Sequence, residues 1–121
     1  MIDEIISDEI AKEVSPYLSD MENVYYNLVD ALLKQGEEQE QAERSAALGA
    51  VVAGLTWSRN TPTVSENTMK LLYACEMFRI RMSIKKMMQI GVLKAEICGK
   101  DENGWEMYKI LECPYGIGGE T

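Results

Sequence analysis

SENTMKLLYACEMFRIRMSIKKMMQIG, residues 65–91, runs from a serine able to cap a helix to a glycine able to end one, with no glycine or proline between them. Met69, Tyr73, Met77, Ile80, Ile84 and Met87 recur at steps of three and four, the spacing that lines one face of an α-helix. This predicts one continuous helix over residues 66–90 with that row against the core. Leu72, Cys75, Phe78 and Met82 widen the apolar face and leave Arg79, Arg81, Lys85 and Lys86 toward its edges.

After Gly91, the stretches Val92 to Cys98 and Trp105 to Cys113 flank the turn-forming segment Gly99 to Gly104. Asn103-Gly104 favours a type I′ turn, because both residues tolerate positive φ. Centring the turn there sets Ile97 opposite Ile110, with Leu93, Ala95 and Tyr108 on the same face and Lys94, Glu96, Lys100 and Lys109 on the other. A two-stranded hairpin is marginal alone, so its apolar face is expected to pack on the helices. In that register neither Cys98 nor Cys113 faces the other, so no cross-strand disulfide is expected.

Upstream, Ile2, Ile6, Ile10 and Val14 predict a short amphipathic helix ending before Ser15-Pro16. Ser15 is placed as the N-cap of a second helix reaching about residue 35, with Pro16 at its first position and Gly36 as its stop. Its apolar stripe is Tyr17, Met21, Val24 or Tyr25, Leu28 and Leu32. A third helix starts in the polar run from Glu37 and carries two small-residue rows, Ser45, Gly49, Ala53 and Ala46, Ala50, Gly54, which suit close packing at the centre of the domain. Asn60-Thr61-Pro62-Thr63 breaks it. The fold class expected is mainly α: a four-helix compact domain over residues 1–113, closed by a C-terminal two-stranded β-hairpin (92–113) packed on the helices, with 114–121 as a flexible tail.

The 121 residues contain no histidine, which removes the commonest general base and metal ligand at neutral pH. No catalytic residue, metal or cofactor is therefore expected, and the chain reads as a binding protein. Three cysteines without metal-ligand spacing suit a reducing, cytoplasmic setting. The least polar stretch, Ala46 to Trp57, falls short of the roughly 20 residues that cross a bilayer, so no membrane is expected.

Net charge is −8, and it is unevenly placed. Residues 1–44 hold twelve acids against three bases, whereas Arg79, Arg81, Lys85, Lys86, Lys94 and Lys100 crowd one later stretch opposed by Glu96. The first expectation is a non-catalytic regulator or inhibitor that presents an acidic helical face, Asp3, Glu4, Asp8, Glu9, Asp20 and Glu22, to a basic, nucleic-acid-handling partner protein. Such a composition is similar to that of small acidic phage and mobile-element proteins that act by resembling nucleic acid.

SIKKMMQIGVLKAEICGKDENGWEMYKI, residues 83–110, resembles the recognition helix and β-wing of a winged-helix domain. That resemblance implies Ser83, Lys85, Lys86 and Gln89 at a major groove and Lys94, Lys100 or Lys109 on phosphates, a DNA-binding regulator using the basic 79–100 stretch. A helix-turn-helix would need a break between residues 66 and 90, and no turn signal stands there. An oligomeric structural protein, joining its acidic end to the basic end of a second copy, is a third expectation. The glutamates at 37, 38, 40 and 43 lack the later Glu-x-x-Asp pair of a magnesium cage and read as a solvated helix start. The turn Asp101 to Gly104 lacks the alternating ligands of a calcium loop.

Overall fold

The computed structural model describes residues 9–59 and 68–112. Residues 9–14 are the described part of α1; α2 is Leu18–Lys34, α3 Gln39–Arg59 and α4 Thr68–Gln89, followed by β1, Lys94–Lys100, and β2, Glu106–Glu112. The expected mainly helical fold with a C-terminal antiparallel hairpin is therefore observed. The early part of the first helix and the tail at 114–121 lie outside the described residues. Among the described residues no helix is long and apolar enough to cross a membrane.

α1 presents Ile10, Ala11 and Val14 to the core, all fully buried. It ends at Val14, before Ser15-Pro16 as expected, but no loop follows: a 3-10 turn, Ser15–Tyr17, leads straight into α2. Ser15 is consequently no N-cap: its Oγ donates to the Lys12 carbonyl at 3.0 Å, and no side chain caps either element. Capping needs an extended backbone before the helix, whereas Val14 has φ −91° and ψ −6°. Gly36 ends α2 as expected, with its N–H donating to the Leu33 carbonyl at 3.0 Å and that of Glu37 to Leu32 at 3.1 Å. Its φ of +96° is the left-handed conformation that glycine adopts without a Cβ clash.

α2 and α3 meet over the second of the two small-residue rows. Ala46, Ala50 and Gly54 are buried with Met21 and Tyr25 of α2. A Cβ on Gly54 would stand 2.7 Å from the Met21 sulfur and 3.2 Å from Val14 Cγ1, so the helices approach closely because this residue has no side chain.

α4 is unbroken from Thr68 to Gln89, with no turn near residues 79–83. Its orientation differs from the expected one. The row that enters the core is Ala74, Cys75, Phe78 and Met82, joined by Arg81, while Tyr73 and Ile80 of the expected core row are exposed. The core row fits because Cys75 is small where α4 faces α3, and Phe78 meets Tyr25 and Trp105 edge to face at 5.7 and 6.5 Å.

The hairpin register is also displaced from the expected one. Ile97 pairs with Tyr108 and Ala95 with Ile110. The turn is a three-residue connection rather than a two-residue one: Asp101 Oδ1 accepts from the N–H groups of Asn103 and Trp105, both at 2.9 Å, and Gly104 follows at φ +89°. A bulge at Cys98, between the Ile97 and Gly99 pairs, adds the second displacement. Glu96, not Cys98, therefore stands opposite Lys109; Cys113 lies outside the described residues. Packing on the helices runs through Leu93, the turn end and Tyr108, whose ring lies 5.8 Å from the Arg81 guanidinium carbon. Trp105 is 1% exposed and its Nε1–H donates to the Ala11 carbonyl at 2.6 Å, but Ile97, Met107, Ile110 and Leu111 face out.

Candidate functional site

Of the acids expected to form a partner surface, Asp3, Glu4 and Asp8 lie outside the described residues. Glu9 accepts from Lys70 Nζ at 2.6 Å and Glu22 from Lys85 Nζ at 2.6 Å, so both tie α4 to the N-terminal helices. Asp20 remains exposed and without an ion pair among the described residues. Glu37 and Glu38, in the α2–α3 connection, are likewise exposed and unpaired, close to the α3 N-terminus whose dipole favours negative charge. Glu40 joins them, bonded to Arg44 at 2.8 Å.

The basic stretch is dispersed by the fold. Arg79 pairs with Glu76 on its own helix, Lys85 reaches Glu22, and Lys94 lies 3.4 Å from Glu112. Lys86 and Lys100 are the members left exposed without an ion pair among the described residues. Arg81 is only 9% exposed: it donates to the Glu106 carbonyl at 2.7 Å and to Glu106 Oε1 at 3.1 Å, and its guanidinium carbon sits 5.5 Å from the Trp105 ring centroid. This arginine fastens the hairpin to α4 by charge-assisted bonds and ring stacking. It is not available to a phosphate backbone. Beside it, Lys85, Lys100, Glu22, Glu106 and Ser19 surround a cleft of about 290 Å³, in which Glu22 and Glu106 already accept from Lys85 and Arg81.

A larger cleft, about 530 Å³, opens between α3 and α4 over Leu48, Leu72 and Cys75, with Arg44, Glu76 and Arg79 at its rim. Burial pushes the Cys75 thiol up to about 12, aided by the neighbouring Glu76 carboxylate, so the nucleophilic thiolate is scarce at neutral pH. Arg79, in turn, holds the Glu76 carboxyl below its ordinary range by hydrogen bonding. Burial also raises Tyr25 to about 12. No group of three metal-ligating side chains gathers among the described residues.

The residues missed by sequence reasoning are apolar. Leu72, Tyr73 and Ile80 on α4 and Ile90 just after it are exposed. The signal was present, since a helix apolar on nearly every side is normally covered on every side. Comparison with known protein families, with curated proteins and with solved structures finds no match to this chain.

Proposed function

We propose that this chain is a non-catalytic regulatory or inhibitory protein of the cytoplasm that binds a basic, nucleic-acid-handling partner protein through its surface acids. The observation that supports this is the acidic surplus: each ion pair takes one charge of either sign, so 20 acids against 12 bases leave acids in excess. Arg79, Arg81, Lys85 and Lys94 are taken up by carboxylates within the fold, while Asp20, Glu37 and Glu38 stand exposed without ion pairs among the described residues. With a net charge of −8, the field outside the protein is negative and steers cationic surfaces toward it.

The test is affinity capture from the native cell at two salt concentrations, with and without nuclease, beside an electrophoretic shift on duplex DNA. The expected outcome is a basic protein retained at low salt despite nuclease and lost from an Asp20→Lys, Glu37→Lys, Glu38→Lys variant, with no DNA retardation. Salt-sensitive retardation of DNA, abolished by Lys86→Ala with Lys100→Ala, overturns the reading in favour of DNA binding.

A further inference from the structure

We propose that the cleft between α3 and α4 binds a small amphipathic carboxylate, an aliphatic body of medium length ending in one carboxyl group. The cleft measures about 530 Å³, within the usual size range of small-molecule sites, and like them it joins apolar walls to a few convergent polar groups. It lies apart from the acids invoked above and does not rest on that reading.

The two ends of the cleft differ in chemistry. Arg79 is within electrostatic reach of Glu40 and Glu43, and Glu76 of Arg44, so the first turns of α3 lie beside residues 76–79 of α4. Leu48 follows Arg44 by one turn on α3, and Leu72 precedes Glu76 by one turn on α4, which brings the two leucines together at the other end. They are 41% and 52% exposed, and both line the cleft beside the small buried residues Ala47 and Cys75. An aliphatic chain seated there removes the leucine surfaces from water.

The polar end selects the headgroup. Arg44 donates from Nη2 to Glu40 at 2.8 Å, and Arg79 donates from Nε and Nη2 to Glu76. Among the described residues, Arg44 Nε and Nη1 and Arg79 Nη1 have no acceptor. A guanidinium carries five N–H donors and no acceptor, so this end has donors to spare, whereas Glu76 already accepts twice. An incoming carboxylate takes the spare donors in charge-assisted bonds; an ammonium would have to displace Arg79 from Glu76. Glu40 and Glu43 oppose an anion, but neither lines the cleft. Glu40 is 69% exposed and screened by solvent, and Glu43 accepts from Gln39 at 2.7 Å. The Arg79 side chain, by contrast, is only 20% exposed.

Amide NMR titration of the full chain with monomeric octanoate, octanol and octylamine is the experiment, with circular dichroism on every variant. Octanoate is expected to shift the amides of Arg44, Leu48, Leu72, Cys75 and Arg79 saturably, and to bind about tenfold more tightly than octanol or octylamine. Leu72→Gln, at an exposed position, should weaken octanoate and octanol alike by about fivefold. Arg79→Gln with Glu76→Gln removes one charge of each sign and keeps the net charge at −8; it should weaken octanoate about fivefold and leave octanol unchanged. No saturation up to about 3 mM, or shifts centred on another surface, overturns the site. Octanol or octylamine binding as tightly as octanoate overturns the choice of headgroup. A double exchange that leaves octanoate at full affinity overturns the part given to Arg79. The three-ligand comparison on the unaltered chain stays decisive if a variant loses helical signal.

Discussion

The α2–α3 pair and the α4–hairpin half of this molecule use apolar residues in opposite ways. Between α2 and α3, small side chains are consumed: Ala46, Ala47 and Ala50 are buried, and Gly54 lets Met21 and Val14 come within 2.7 and 3.2 Å of where its Cβ would lie, closer than ordinary van der Waals contact. Around α4 and the hairpin, large side chains are left over. Leu72, Ile80, Ile90, Ile97, Ile110 and Leu111 all face outward. The difference teaches that one half consumes its apolar side chains internally while the other, among the described residues, leaves large ones exposed.

The strongest way to break that contrast is to remove the residue that fastens the hairpin to α1 and α4. Trp105 packs on Phe78, supports Arg81 and bonds Ala11. Trp105→Ala should lower unfolding stability by about 3–5 kcal/mol, read by denaturant titration, with the hairpin amide resonances shifting more than those of α2 and α3. A loss under about 1 kcal/mol would show that the hairpin is not fastened there.

A smaller effect tests the tightness of the first half. Gly54→Ala should destabilise by about 1–3 kcal/mol, because its new methyl meets Met21 and Val14, both fully buried. At Gly49 the new methyl would meet only the tip of Leu28, 2.5 Å away. That tip is half-buried and able to rotate, so Gly49→Ala should be neutral or stabilising by up to about 1 kcal/mol through helix propensity. Equal effects at the two glycines would contradict the close approach at Gly54.

The smallest effect concerns the Glu13–Arg59 pair, in which the carboxylate accepts from Arg59 Nε at 2.6 Å and from Nη2 at 2.8 Å. These bonds hold the Glu13 carboxyl below its ordinary value of 4.5. Its stabilising contribution is thus complete above pH 4.5 and disappears as the pH falls through the lowered folded value. Glu13→Gln should remove about 1 kcal/mol at neutral pH and flatten the acid limb of the stability profile. An acid limb unchanged in the variant would place the titrating group elsewhere.

Much of the architecture was legible because its signals are local. Gly36 and Gly91 ended helices where expected, and the small row Ala46, Ala50, Gly54 marked a close helix contact. The hairpin turn was legible too, but in Asp101 rather than in Asn103-Gly104. A carboxylate at the first turn position collects two backbone N–H groups, which favours a type I turn and shifts the register. The candidate surfaces were less legible. Glu9, Glu22, Arg81 and Lys85 looked like free surface charges in the sequence, yet their partners stand far along the chain.

The sequence by itself determined that α4 is a helix, since periodicity and the absence of glycine and proline act within a few residues. It did not determine how that helix is rotated, because both of its rows are apolar and the period is the same for either. Only the tertiary structure decided that. Ala74 and Cys75 are small where the core is tight, and Phe78 and Arg81 both reach Trp105, whereas Tyr73, Ile80 and Met87 make the wider row. Packing selects the row whose volumes fit the neighbours, and what it leaves outside becomes the surface available to another molecule.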